Sequence, residues 1–218
     1  MKIASFLENH NIEKRIAITP EIAKKYLSLG FEISLSESYG AHLGIVDDEY
    51  KNIGVKISKD NNEIIKDADV IVQLGLLSSD KISLLTENQI LIGVLNPYDN
   101  KSELAKLNQK KIKIFSLELL PRITRAQSMD ILSSQANLAG YKAVVESFAN
   151  FEKAVPMMMT AAGTVPAAKV LVVGAGVAGL QAIATAKRMS ARGFTTDGRR
   201  ASNEKDTRKG GKGITVDG

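Results

Sequence analysis

The chain has no cysteine and no tryptophan, two histidines, and 5% aromatic residues among its 218. Without cysteine, disulfides and thiolate metal centres are excluded, and no metal is expected. No apolar run approaches the ~20 residues that a bilayer-spanning helix needs. The opening MKIASFLENH does not read as a signal peptide, so a cytoplasmic chain with no membrane span of its own is expected. The scarcity of aromatics also bears on the charge. Seven Lys/Arg against four Asp/Glu between 189 and 218 carry three of the five net positive charges. The excess is therefore a tail property, not a basic stripe interleaved with stacking rings, and nucleic acid is excluded as a partner. What remains is a chain that is 44% hydrophobic, enough to bury a core in one or two domains.

The chain is organised around Lys169 to Arg188, KVLVVGAGVAGLQAIATAKR. Val170 to Val173 is an uninterrupted apolar run, as expected for a strand buried on both faces. Gly174, Gly176 and Gly179 give G-x-G-x-x-G, and good helix formers follow. In such a strand–turn–helix the first glycine makes the turn and the second lets a diphosphate approach the backbone. The third lets helix and strand pack closely, and the helix N-terminus offers N–H groups to phosphate. Asp197 lies roughly 20 residues past the turn, where an acidic side chain accepts from the adenosine ribose hydroxyls. The pattern predicts a Rossmann dinucleotide site.

Ahead of it, strands and helices alternate. Lys2 to Ser5 reads as a strand, and Thr19-Pro20-Glu21 as a helix start whose helix runs to Leu29 and stops at Gly30. Strands are expected at Phe31 to Leu35, Val55 to Ile57, Ala68 to Leu74, Gln89 to Leu95 and Ile112 to Leu117. Helices are expected at Asp47 to Ile53, Glu63 to Asp67, Asp80 to Leu85 and Lys101 to Asn108. The alternation predicts an α/β fold of two doubly wound parallel-sheet units. Their boundaries read as 1–126 for a flavodoxin-like or Rossmann-like domain, 127–160 for a connecting helix and loop, and 161–218 for the opening portion of the dinucleotide-binding domain. The connecting helix is expected from about Met129 to Ala154, and Met157 to Met159 as core or interface packing. From 190 the tail is too polar for a buried helix, and Arg192 and Gly193 stand where a second buried strand would want β-branched residues. The unit is therefore expected to be incomplete.

Three stretches carry a resemblance: PRITRAQSMDILSSQANLAGYKAV (Pro121 to Val144), TAAGTVPAAKVLVVGAGVAGLQAIATAKR (Thr160 to Arg188), and near the start EKRIAITPE with YGAHLGIVDDEY. Together they resemble the NAD(H)-binding domain of the alpha subunit of proton-translocating NAD(P) transhydrogenases, whose sister family is alanine dehydrogenase. The resemblance covers nearly the whole chain to Arg188, and the family domain is much longer. It implies that Arg122, Gln127, Asp130 and Ser133 close around the nicotinamide as the catalytic set. It further implies that Gly174, Ala175, Gly176, Val177 and Gly179 hold the pyrophosphate of NAD(H), and that Asp197 and Arg199 sit at the adenosine ribose. The partners implied are NADP(H)-binding and membrane-spanning components and a second copy of the chain. That would place the protein on the cytoplasmic side, peripheral to the inner membrane.

Two other readings stand beside it. An alanine-dehydrogenase-like oxidoreductase would need a cationic anchor and a proton-transferring histidine. The family's lysine falls near Gln73 here and its histidine near Asn96, while His10 and His42 sit in loops and read as solvated or supporting residues. The third reading is an inactive truncated fragment, motivated by the polar tail.

Overall fold

A computed structural model describes residues 1–196 and 212–213. The chain divides into two units, Met1–Met129 and Asp130–Gly218.

The first unit alternates strand and helix as its sequence pattern requires. Its strands are β1 (Lys2–Ser5), β2 (Glu32–Ser36), β3 (Lys56–Ser58), β4 (Val70–Gln73), β5 (Ile90–Gly93) and β6 (Lys113–Ser116). Its helices are α1 (Pro20–Ser28), α2 (Asp47–Lys51), α3 (Asn61–Asp67), α4 (Ser79–Leu84) and α5 (Lys101–Gln109). All six strands are parallel, in the order β3-β2-β1-β4-β5-β6. The order reverses between β1 and β4, the position at which doubly wound sheets present a ligand crevice. Two apolar clusters cover the sheet, one centred on Ile65, Ile71 and Leu91, the other on Ile33, Leu35 and Tyr50. Local signals account for the ends of α1: the Thr19 hydroxyl accepts from Ile22 N–H, Pro20 takes the first helical position, and Gly30 follows with φ +83°.

Beyond the last backbone pair, β1 and β4 are joined by a side chain. The buried Gln73 carboxamide accepts from Phe6 N–H at 3.0 Å and donates to Phe6 C=O at 2.9 Å. The segment after β1 is tied down by Tyr39, whose hydroxyl accepts from Ala17 N–H (3.1 Å) and Ile18 N–H (3.2 Å) and lies 2.7 Å from Ser5 Oγ. Burial pushes the Tyr39 phenol above its ordinary pKa, so the hydroxyl stays protonated. The two histidines are not simply solvated. Their rings stack at 3.8 Å between centroids, and His42 Nε2 lies 2.7 Å from Lys14 C=O.

The second unit begins with α6 (Ile131–Ala149), followed by a two-stranded antiparallel hairpin, β7 (Met158–Thr160) and β8 (Gly163–Val165). Then come β9 (Lys169–Val173), α7 (Val177–Arg188), β10 (Arg192–Thr196) and the short β11 (Lys212–Gly213). The strands form a parallel sheet in the order β11-β10-β9, the same order in which the first unit begins.

Four expectations are corrected here. The doubtful second strand forms: β10 pairs with β9 along its whole length, from Arg192 opposite Lys169 to Thr196 opposite Val173. Backbone pairing needs no β-branched side chain, and Arg192 is exposed at the strand's start. The tail expected to be irregular from 190 is thus ordered to Thr196; residues 197–211 and 214–218 lie outside the described residues. β9 is covered on one face only, because α6 and α7 pack against Val170 and Val172 while Leu171 and Val173 are 60% and 79% exposed. Finally, of the core or interface packing expected for Met157 to Met159, the core alternative is excluded: Met159 is 85% exposed, and two of the three lie on the first strand of the hairpin.

Replacing Gln73 by Leu keeps the volume but strands the Phe6 N–H and C=O without partners. The free energy of opening at β1 and β4 is expected to fall by about 2–4 kcal/mol, measured by native-state hydrogen exchange. A change under about 0.5 kcal/mol would show that the amide bridge contributes little.

Candidate dinucleotide site

The turn between β9 and α7 is built from backbone. Gly174 follows the strand at φ +97°, a left-handed conformation that a side chain would strain. Gly176 is the N-cap of α7, and no side chain caps that end. The helical ladder starts with Leu180 N–H donating to Gly176 C=O at 2.9 Å. The amides of Val177 to Gly179 precede that bond and so lie outside the ladder, at the positive end of the helix dipole.

The three glycines do different work. A Cβ built on Gly179 would lie 1.8 Å from Gly174 O, so helix and turn meet backbone to backbone. A Cβ built on Gly176 meets nothing within 4 Å among the described residues. The absent side chain at Gly176 therefore leaves room where a group approaching the amides would lie, as an anion site at a helix N-terminus requires. Ala175 is buried beneath the turn, and Val177 is 42% exposed on its outer side.

A second polar group sits at the start of α6. Asp130 is the N-cap: its Oδ1 accepts from Ser133 N–H at 2.9 Å and its Oδ2 from Ser133 Oγ at 2.6 Å. The structure thus brings Asp130 and Ser133 together as a pair in the second unit. Arg122 and Gln127 are exposed in the closing segment of the first unit, Gln127 within the 3₁₀ turn Thr124–Met129. Asp197 and Arg199 lie outside the described residues. Among the described residues, no cluster of three or more His, Asp or Glu side chains is arranged to hold a metal ion.

The first unit has its own cleft at the β1/β4 reversal, a cavity of about 580 Å³ lined by Glu8, Gln73, Ser78, Lys81 and Asn100 among others. Two backbone donors at the end of β4 are already used: Glu8 Oε1 accepts from Leu74 N–H (2.7 Å) and Gly75 N–H (3.2 Å). Lys81 Nζ lies 4.9 Å from the centre of the Phe6 ring, and burial lowers the pKa of its ammonium against a smaller upward pull from Glu8. The sequence drew no attention to Glu8, because only the fold carries it to the end of β4.

Comparison with known proteins finds two family domains whose junction falls within α6. Residues 6–139 match the family model for the alanine dehydrogenase/PNT N-terminal domain, and residues 143–216 match that for the C-terminal domain. An NAD(P) transhydrogenase alpha subunit of Rhodospirillum rubrum is 47% identical over 222 residues, covering 100% of this chain and 58% of that protein. A crystal structure of transhydrogenase from Sinorhizobium meliloti superimposes with a TM-score of 0.90 at 44% identity, over 97% of this chain and 64% of that one. An L-alanine dehydrogenase structure shares the fold, with a TM-score of 0.81 at 18% identity, over 100% of this chain and 61% of that one. The chain therefore spans about three fifths of the length of the proteins it resembles.

Removing the α6 cap with Asp130→Ala is expected to cost the first turn about 1 kcal/mol, whereas Asp130→Asn retains most of it. Amide exchange at Ser133 and Ser134 should quicken by about fivefold in the alanine variant. Equal exchange in both variants would mean that the cap does not hold this turn.

Proposed function

The chain belongs to the alanine dehydrogenase/PNT family, and we propose that it is the NAD(H)-binding component of a proton-translocating NAD(P) transhydrogenase. In this reading it presents NADH to NADP⁺ held on a partner component, while membrane-spanning components couple the transfer to proton movement. It acts as a homodimer on the cytoplasmic side, peripheral to the inner membrane through those partners. No helix among the described residues is long and apolar enough to cross a membrane. The observation that carries the reading is the glycine turn Gly174–Gly179, where no described atom lies within 4 Å of a Cβ built on Gly176 and the amides of Val177 to Gly179 open the helix.

When bound, NADH supplies the hydride. The chain's residues bind and orient. The turn amides of Val177 to Gly179, with Ala175 beneath, take the diphosphate, and Asp197 and Arg199 take the adenosine ribose. An acidic residue at the ribose favours NAD over NADP. Arg122, Gln127, Asp130 and Ser133 take the nicotinamide end: a guanidinium, a carboxamide, a carboxylate and a hydroxyl suited to fix the ring's carboxamide. None of them needs to hold or move a proton, because one C–H bond breaks and another forms with no heteroatom changing its protonation. Catalysis is then a matter of bringing two rings into near-attack geometry with water kept out.

This requirement separates the reading from an alanine dehydrogenase, in which reduction of an imine needs a proton donor and a cationic anchor. The Gln73 amide is committed to the Phe6 backbone, and Asn96 Nδ2 donates to Asp99. Neither can supply a proton or a positive charge.

Gly176→Val tests the turn directly, because it adds a side chain over the amides at a position where a Cβ meets nothing within 4 Å among the described residues. The variant is expected to keep its melting temperature within about 2 °C while NADH affinity, followed by nicotinamide fluorescence, falls at least about tenfold. Unchanged affinity would remove the diphosphate from this turn, and absence of NADH binding by the native chain would favour the inactive fragment. With the partner components added, deuterium from 4-deuterated NADH should arrive in NADPH without exchange into water. Wash-out of the label, or turnover of alanine with NAD⁺, would overturn direct transfer.

A further inference from the structure

Resting on the NAD(H) reading, we propose that Gly140, in the middle of α6 and outside the glycine fingerprint, is a positioning residue of the dinucleotide site. Gly140 is buried, and a Cβ built on it would lie 2.1 Å from Ala178 O, 2.8 Å from Ala178 C and 3.0 Å from Ala178 Cα. These are backbone atoms and cannot swing aside as the end of a flexible side chain could. Ala178 lies in the first turn of α7, between Val177 and Gly179. The surface of α6 at Gly140 is therefore the seat on which the phosphate-facing turn rests.

The opposite side of that turn is equally tight, because Gly179 rests on Gly174 O. The first turn of α7 is held between two backbone contacts, and a side chain at 140 can be accommodated only by moving it. That movement shifts the amides of Val177 to Gly179 relative to Gly174 and Gly176. Further along, the two helices meet through Val144, Ala182 and Ala186, an ordinary side-chain contact that sets no backbone height. A glycine in a helix interior destabilises the helix relative to alanine; here it permits a contact no other residue allows.

The test uses the full chain with three ligands: NADH followed by fluorescence, and ADP and adenosine as competitors. Gly140→Ala is expected to weaken NADH and ADP at least tenfold while adenosine, which has no phosphate, stays within twofold. Val144→Ala thins the same interface without pushing on the turn. It should lower the melting temperature and leave all three affinities within twofold. Should Gly140→Ala fail to fold, Ala182→Val presses α7 away from α6 one turn further on and should weaken NADH at least threefold with adenosine unchanged. An NADH affinity within twofold of the native chain, or an equal loss for all three ligands, would overturn the role. If the native chain binds no NADH, hydrogen exchange still decides. Amides of Leu180 to Ile183, the first in the α7 ladder, should exchange at least tenfold faster in Gly140→Ala than in Val144→Ala, and equal rates would sink the inference separately from the function.

Discussion

Backbone-on-backbone contact at the first turn of α7 is the constraint on which the second unit depends. Gly179 lies against Gly174 O on one side, and Ala178 O lies against Gly140 on the other. Helices usually meet through side chains whose size sets the separation of their axes. Here the separation is set by the absence of side chains, so it cannot relax by a change of rotamer. Ala182 and Ala186 on α7 continue the close approach, and Val144 on α6 fills the groove they leave. A site made of amides needs this kind of support, because amides have no flexible stem with which to correct a misplaced helix.

The two units begin with the same strand order and finish it differently. In the first, the end of the central strand is closed by the protein's own polar groups: Gln73 bridges to Phe6, and the Glu8 carboxylate occupies the amides of Leu74 and Gly75. In the second, β9, at one edge of the described sheet, ends in a glycine turn with room over Gly176 among the described residues. A carboxylate in one place and bare amides in the other make one end self-satisfied and the other fit for an anion. The difference lies in a few residues placed on a shared topology.

Much of this was legible. Thr19-Pro20, Gly30 and the six apolar runs mark the elements of the first unit to within two or three residues, because capping and strand burial are local or periodic signals. The fingerprint marked its turn for the same reason. What escaped depended on partners distant in sequence. Val173 belongs to an apolar run that reads as buried on both sides, yet it is 79% exposed because α6 and α7 cover only the other face. β10 looked too polar for a strand, but its register on β9 is set by backbone pairing. The hairpin at Met158–Thr160 and Gly163–Val165 carries its methionines outward, against the ordinary habit of that side chain. Gly140 did leave a trace: a glycine inside a strong helical pattern costs stability and points to a close neighbour. The neighbour itself, Ala178, could be named only from the fold.

The polar group at the head of α6 has a bearing on the chemistry proposed. Hydride transfer between rings asks the protein for placement and nothing that titrates, so the value of each side chain lies in how firmly it is held. Asp130 is held by the turn it caps: two bonds to Ser133, one to the amide and one to the hydroxyl, fix the plane of its carboxylate and the rotamer of its partner together. A residue that caps a helix is usually read as structural and dismissed as a functional candidate. In a site whose work is positioning the two roles coincide, since the bonds that stop the helix from fraying are those that give the carboxylate a single direction. Gly140 lies ten residues along the same helix, about 15 Å from Asp130 at the rise of an α-helix. The element that orients the proposed ring-binding pair therefore also seats the turn proposed for the diphosphate. One rigid helix can thus hold the proposed ring-binding pair and the proposed diphosphate turn in a common frame.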